Sequence, residues 1–209
     1  MALVPDIISP LKQVHLRRFL PTTAIKYDAT YELKDAEYDK VFSLPSVNGC
    51  FMLLTNVFGE RQYSCRLLPT PSNLFLRRFL PTTAIKYDAT YELKDAEYDK
   101  VFSPPSVSGC FMLLTNVLLQ KLNGFDERYF MYLEDVDLCR RALQLTKIYY
   151  CPDTTIVHVF NKGSYKSKLL LWYHVRSAIT YFNKWGWFFD KKRYAYNESA
   201  LRNIPRKLN

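Results

Sequence analysis

The stretch Gly124-Phe-Asp-Glu-Arg-Tyr-Phe-Met-Tyr-Leu-Glu-Asp-Val-Asp-Leu-Cys139 combines a helix stop, an aromatic shelf and a carboxylate cluster that opens another helix. Upstream of it, Val117, Leu118, Leu119 and Leu122 have helical spacing over 116–123, and Gly124 falls where a left-handed C-terminal residue belongs. Downstream, Val136, Cys139 and Leu143 recur at i, i+3, i+7, which predicts a helix starting near Glu134. Glu134, Asp135 and Asp137 then crowd its first turn. The positive end of the helix dipole favours their ionised forms by about 0.3–1 kcal/mol each, so a carboxylate here stays deprotonated and is able to act as a base.

The same residues have a structural reading. Acids in a first turn compensate the dipole, and Asp137 has the spacing to pair with Arg140 or Arg141. The preceding aromatic run favours a site. Tyr129, Phe130, Met131 and Tyr132 offer flat, partly polar surfaces beside the acids, which suit a sugar ring or another amphipathic ligand.

With 209 residues, 48% hydrophobic and 16% aromatic, the chain belongs with globular proteins rather than disordered ones. Its charge is uneven. Eleven Lys and Arg follow His158 against only Asp190 and Glu198, so this segment carries the whole formal charge of +9. That balance points to an anionic partner such as a phosphate-bearing ligand or lipid headgroups, while no nucleic-acid-binding motif is present. The five cysteines form no C-x-x-C pair or dense framework, which fits a reducing compartment. The N-terminus lacks a basic region followed by a long apolar core, and no stretch approaches the roughly 20 apolar residues of a membrane span. The expected location is cytoplasmic, with any membrane contact peripheral, on the inner face.

Leu16–Val57 recurs as Leu76–Val117 with only Leu44/Pro104 and Asn48/Ser108 changed. Even the charged run Lys34-Asp-Ala-Glu-Tyr-Asp-Lys40 is kept, unlike the surface drift of a solenoid. A recent partial duplication, or an assembly error in the sequence, accounts for this better than a solenoid does. The second copy runs without a break into the 124–139 stretch, so it is expected to be the integrated one, with residues 1–60 an extra, loosely docked segment. Further elements expected are a helix over 72–80, a buried strand over 106–115, two strands at 147–151 and 154–160 broken by Pro152-Asp153, and a long helix over 164–185. Trp172, Tyr173, Trp185 and Trp187 read equally as core and as a binding surface.

Ser108-Gly-Cys-Phe-Met-Leu-Leu, Gly124-Phe-Asp-Glu, Tyr129-Phe-Met-Tyr-Leu-Glu-Asp-Val-Asp-Leu-Cys, Val157-His158 and Trp172-Tyr-His-Val-Arg-Ser177 occur in an order and spacing that resembles the family 2 glycosyltransferases, most closely the bacterial rhamnosyltransferase type. The resemblance runs from Arg61 to Lys192. It implies an α/β fold of the GT-A (nucleotide-diphospho-sugar transferase) kind, a mixed sheet with flanking helices, here incomplete. It also implies inverting transfer from a nucleotide-sugar donor to a glycan or lipid-linked acceptor in polysaccharide biosynthesis, assisted by a divalent cation, Mg or Mn.

By position in the matching motifs, Asp135 is the expected base, with Glu134 beside it. Gly109, Asp126, Glu127 and Tyr132 are the expected substrate-binding residues, and His158 the expected metal-side ligand. These enzymes begin with a nucleotide-binding half that carries an acidic motif, and nothing in Met1–Leu74 resembles it. The chain is therefore read as the acceptor-side part, 61–190, followed by a basic tail, 191–209, and as truncated. The alternative is an inactive remnant that serves as a membrane-surface or protein-binding module.

Overall fold

A computed structural model describes residues 49–55, 61–79, 88–110, 112–157 and 167–207. The elements in chain order are strand β1 (Gly49–Thr55), β2 (Arg61–Gln62), β3 (Cys65–Arg66), helix α1 (Pro71–Phe79), β4 (Ser106–Val107), β5 (Leu113–Leu114), α2 (Asn116–Leu122), α3 (Glu134–Ala142), β6 (Tyr149–Val157), α4 (Lys168–Trp185) and α5 (Lys191–Asn203). The chain is thus a mixed α/β protein with a small sheet and flanking helices. Among the described residues, no helix is long and apolar enough to cross a membrane.

Helix ends follow their local chemistry. α1 starts on Pro71, a residue preorganised for the first helical position. Thr70 and Asn73 cap it reciprocally, the Asn73 amide donating to Thr70 Oγ1 and the Thr70 amide to Asn73 Oδ1, both at 3.1 Å. Thr115 caps α2 by accepting from the Leu118 amide at 3.2 Å. At the other end of α2 the left-handed cap is Asn123 (φ 54°), and Gly124 continues in the same region (φ 66°). α3 begins at Glu134, where the apolar spacing placed it, but its N-cap is Leu133, which offers no side-chain acceptor.

β1 organises the larger sheet. β6 runs parallel to it, with Cys50 opposite Tyr149 and Thr55 opposite Val157, while β2 and β5 pair antiparallel with its two ends. β3 and β4 form a separate antiparallel pair. The strand expected over 106–115 is therefore two short strands in different sheets, separated by a turn at 109–110. The long strand comes from the first copy of the repeat. Pro152 and Asp153, expected to separate two strands, instead lie within β6. The register there jumps from Met52 opposite Cys151 to Leu53 opposite Thr155, so the sheet absorbs the missing proline donor as an irregularity.

One apolar cluster joins the second copy to α2, α3 and β6 through Tyr91, Leu93, Tyr98, Phe102, Leu118, Leu138 and Tyr150. Tyr98 is its aromatic centre, edge-on to Tyr63, Phe102 and Tyr150 at centroid distances of 5.5, 5.2 and 5.1 Å. A second cluster, around Leu68, Tyr129, Leu133, Val136, Tyr181 and Phe182, lies between α3 and α4. α3 serves both, because Val136 and the Leu138, Cys139, Ala142 group fall on different faces of one helix.

Residues 191–209, grouped in the sequence as a basic tail, contain α5, which packs onto the body. Asn197 brackets the backbone of Leu68, accepting from its amide at 2.8 Å and donating to its carbonyl at 3.0 Å. Beyond the helix, the Glu97 amide donates to Pro205 O at 2.8 Å and the Lys207 amide to Asp95 O at 2.9 Å. Cys65 and Cys139 are buried thiols, but Cys151 is disulfide-bonded, so the expectation of fully reduced cysteines does not hold.

Candidate functional site

The opening of α3 brings three of the sequence-selected residues, Tyr132, Glu134 and Asp135, close together in the chain. Its approach is backbone-strained: Tyr132 and Leu133 both adopt the left-handed region, at φ 68° and 61°. That conformation costs a non-glycine residue on the order of 1–3 kcal/mol and persists only where surroundings hold it. The holding comes from α4. Ser177 Oγ donates to Met131 O at 2.7 Å, the Tyr132 ring stacks on His174 at 4.8 Å, and Phe130 lies against Tyr173 at 4.5 Å.

This turn presents Glu134 and Asp135, both half-buried, at the amide-rich end of α3. Asp135 Oδ1 accepts from the Val136 amide at 2.8 Å, and Oδ2 accepts from the Gly109 amide, also at 2.8 Å. Gly109 and Asp135, chosen from separate motifs, thus meet directly. A Cβ added at Gly109 would come within 3.0 Å of Asp135 Cβ, so only glycine permits this approach without displacement. Gly109 is exposed, which leaves the carboxylate reachable from solvent.

The other acids have different surroundings. Asp137 is fully buried and saturated: Arg141 Nε donates to Oδ2 at 2.8 Å, while Trp185 Nε1 and Lys184 Nζ each approach Oδ1 at 2.7 Å. Of its two candidate partners it takes Arg141. Arg140 goes instead to Asp190, at 2.5 Å, and stacks on the Trp185 ring at 4.4 Å. Lys184 Nζ also contacts Asp126 Oδ2 at 2.7 Å and so bridges Asp126 to Asp137. Arg128 first, and Lys184 after it, hold the Asp126 carboxyl well below the usual carboxylate range. Burial, reinforced by Asp137 and Asp126, pushes the Tyr129 phenol up.

Asp126 is therefore committed to a salt-bridge network. Glu127 is exposed. Tyr132 stands next to the Asp135 turn, stacked on α4. His158 lies outside the described residues. Among the described residues no group of three or more His, Cys, Asp or Glu side chains is placed to hold a metal ion.

Three contributors were not selected from sequence: Lys184, Ser177 and His174. His174 and Ser177 lie in the Trp172–Ser177 motif, but nothing in that motif assigns either of them to the site. Of the aromatic residues that read either way, Trp185 is tied to Asp137 and Tyr173 to Phe130, whereas Trp172 and Trp187 are exposed.

Similarity to known proteins lies with the glycosyltransferases. One curated relative is Rhamnosyltransferase WbbL of Escherichia coli (strain K12), 31% identical over 122 residues, which cover 57% of this chain and 44% of that protein. The chain spans less than half the length of that relative. No protein-family model matches the chain, and no solved structure does.

Proposed function

We propose that this chain is the acceptor-side part of an inverting, GT-A-type glycosyltransferase, with Asp135 as the general base. The observation that carries the reading is the Asp135 carboxylate, fixed on one oxygen by the Val136 amide at the start of α3 and on the other by the Gly109 amide of the facing turn, yet open to solvent through that exposed glycine. The similarity to a rhamnosyltransferase supplies the reaction class.

In this reading an acceptor hydroxyl hydrogen-bonds to Asp135. The proton passes to the carboxylate as the hydroxyl oxygen bonds to the anomeric carbon. The bond from that carbon to the phosphate oxygen breaks, and the nucleoside diphosphate leaves with the electron pair. Two amide hydrogen bonds, from Gly109 and Val136, hold the Asp135 carboxylate in place for the attack. Tyr132 offers a ring edge beside the base for the acceptor glycan, and Glu134 supplies a second carboxylate next to it.

The donor is a nucleotide-sugar, a nucleotide-activated rhamnose by the relative's name, and the acceptor is a glycan or lipid-linked glycan on the cytoplasmic side. The nucleotide-binding half is not recognisable in this sequence, so the assay is run with the chain alone and with the remaining half of a rhamnosyltransferase added as a second polypeptide. Transfer of radiolabelled rhamnose to a lipid-linked acceptor is the readout. Asp135→Asn should lower kcat by about 10²–10⁴-fold. Undiminished transfer by Asp135→Asn, or no transfer in either format by a folded chain, refutes the reading.

A further inference from the structure

The outer face of α4 is unusually apolar for a solvent-facing surface. Leu169, Trp172, Val175 and Ile179 are all exposed, within about 120° of helix circumference and over about 15 Å of its length. The turn that follows α4 carries two more bare aromatic side chains, Phe188 and Phe189, 65% and 101% exposed. An amphipathic helix that buries its other face, through Ser177, Tyr181 and Phe182, does not leave such a stripe bare without a partner.

The charges around the stripe select that partner. Lys168, Arg176, Lys191 and Lys192 are exposed along it, and Arg176 lies over the Trp172 ring at 5.5 Å. From Lys168 to Lys192 the sequence contains one acid, Asp190, and it is buried on Arg140. The surface therefore presents apolar and aromatic side chains with cations and no exposed carboxylate. A second copy of this face would oppose cations to cations. An anionic bilayer complements both features, with headgroup phosphates taking the cations and the acyl boundary taking the aromatic groups.

We propose that the outer face of α4 and the Gly186–Asp190 turn seat the protein on anionic membrane, with Phe188 and Phe189 inserted below the headgroups. This holds whether or not the chain transfers sugar.

The test is co-sedimentation of the full chain with vesicles of phosphatidylcholine alone or mixed with phosphatidylglycerol, at low and high salt. Binding to the phosphatidylglycerol vesicles should exceed binding to phosphatidylcholine by about tenfold or more, and fall with salt. Phe188→Ser with Phe189→Ser should weaken it by about tenfold or more, and Lys191→Glu with Lys192→Glu should remove most of the salt dependence. These side chains are exposed, so circular dichroism should show folded variants. Absence of anionic-vesicle binding overturns the proposal, as does equal binding by folded variants. So does a sedimentation-equilibrium dimer that the phenylalanine changes dissociate. No sugar enters the measurement, so its failure is distinct from failure of the transferase reading.

Discussion

Gly109→Ala isolates the contact that defines the site. The new methyl would lie 3.0 Å from Asp135 Cβ and 3.5 Å from Oδ2. Carbon pairs are most stable at about 3.5–4.0 Å, so this contact is repulsive. Asp135 cannot rotate away, because its Cβ is fixed by the first turn of α3. Two responses compete. Keeping the geometry retains the overpacking, at about 1–3 kcal/mol. Separating the turn from α3 sacrifices the hydrogen bond from the Gly109 amide to a carboxylate, about 1.5–3 kcal/mol when shielded and near the lower end at this exposed position. The chain takes the cheaper route, so the expected loss is about 1–2 kcal/mol, or about 2–8 °C in Tm for a protein of this size. The assay is urea denaturation of Gly109→Ala, alone and in an Asp135→Ala background. The background lacks the hydrogen bond, so the turn there can move apart with little further loss. A coupling of about 1 kcal/mol should appear between the two sites. Gly109→Ala within about 0.5 kcal/mol of wild type, or the same loss in both backgrounds, refutes the reasoning.

Asp137→Ala should be far more damaging, at about 3–5 kcal/mol by denaturation midpoint, because it removes the acceptor shared by Arg141, Lys184 and Trp185 inside the fold. Trp185→Phe, which removes one of those donors, should lose about 1–3 kcal/mol on the same measurement. The Asp126 carboxyl is depressed by Arg128 and Lys184, so its stabilisation is fully present above the ordinary carboxylate pKa of about 4 and fades as pH falls towards its folded value. Wild type should accordingly be more stable than Asp126→Asn at pH 6, with the gap narrowing below pH about 4 in urea melts; a gap constant from pH 2 to 7 contradicts the assignment.

What was legible in the sequence was local. The start of α3 at Glu134 and the end of α2 near Gly124 follow from spacing and side-chain chemistry within a few positions. The left-handed pair Tyr132–Leu133 was not legible, since neither side chain favours that conformation and the contacts that hold it come from Ser177 and His174 on another helix. The Arg140–Asp190 pair joins residues fifty positions apart, and nothing local distinguishes Arg140 from Arg141 as the better partner for Asp137. α5 escaped notice for a different reason. The residues it buries include Arg193 and Ala200, and it docks through Asn197, so it has no apolar period to find. The Gly109–Asp135 contact was half legible: each residue stood out in its own motif, but the 2.8 Å bond between them belongs to the fold.

The repeated segment shows why the remainder could not be read. Gly49–Thr55 and Gly109–Thr115 have the same sequence, Gly-Cys-Phe-Met-Leu-Leu-Thr, and identical intrinsic preference for a strand. The first forms β1 and pairs with β6 along its length, whereas the second turns at Gly109 and contributes only Leu113–Leu114, paired with Gly49 and Cys50. Propensity cannot separate them, so the difference lies in what each copy is joined to. The second copy must deliver Thr115 as the cap of α2 only a few residues after Ser108, whose amide is already committed to Ser64 O at 2.8 Å. It must also give the Gly109 amide to Asp135. A segment pinned at both ends in this way cannot also run extended beside β6, while the first copy has no such obligations among the described residues. Continuity with the carboxylate motif, which in the sequence argued for the second copy as the integrated one, is the same feature that draws it out of the central strand and into the candidate site.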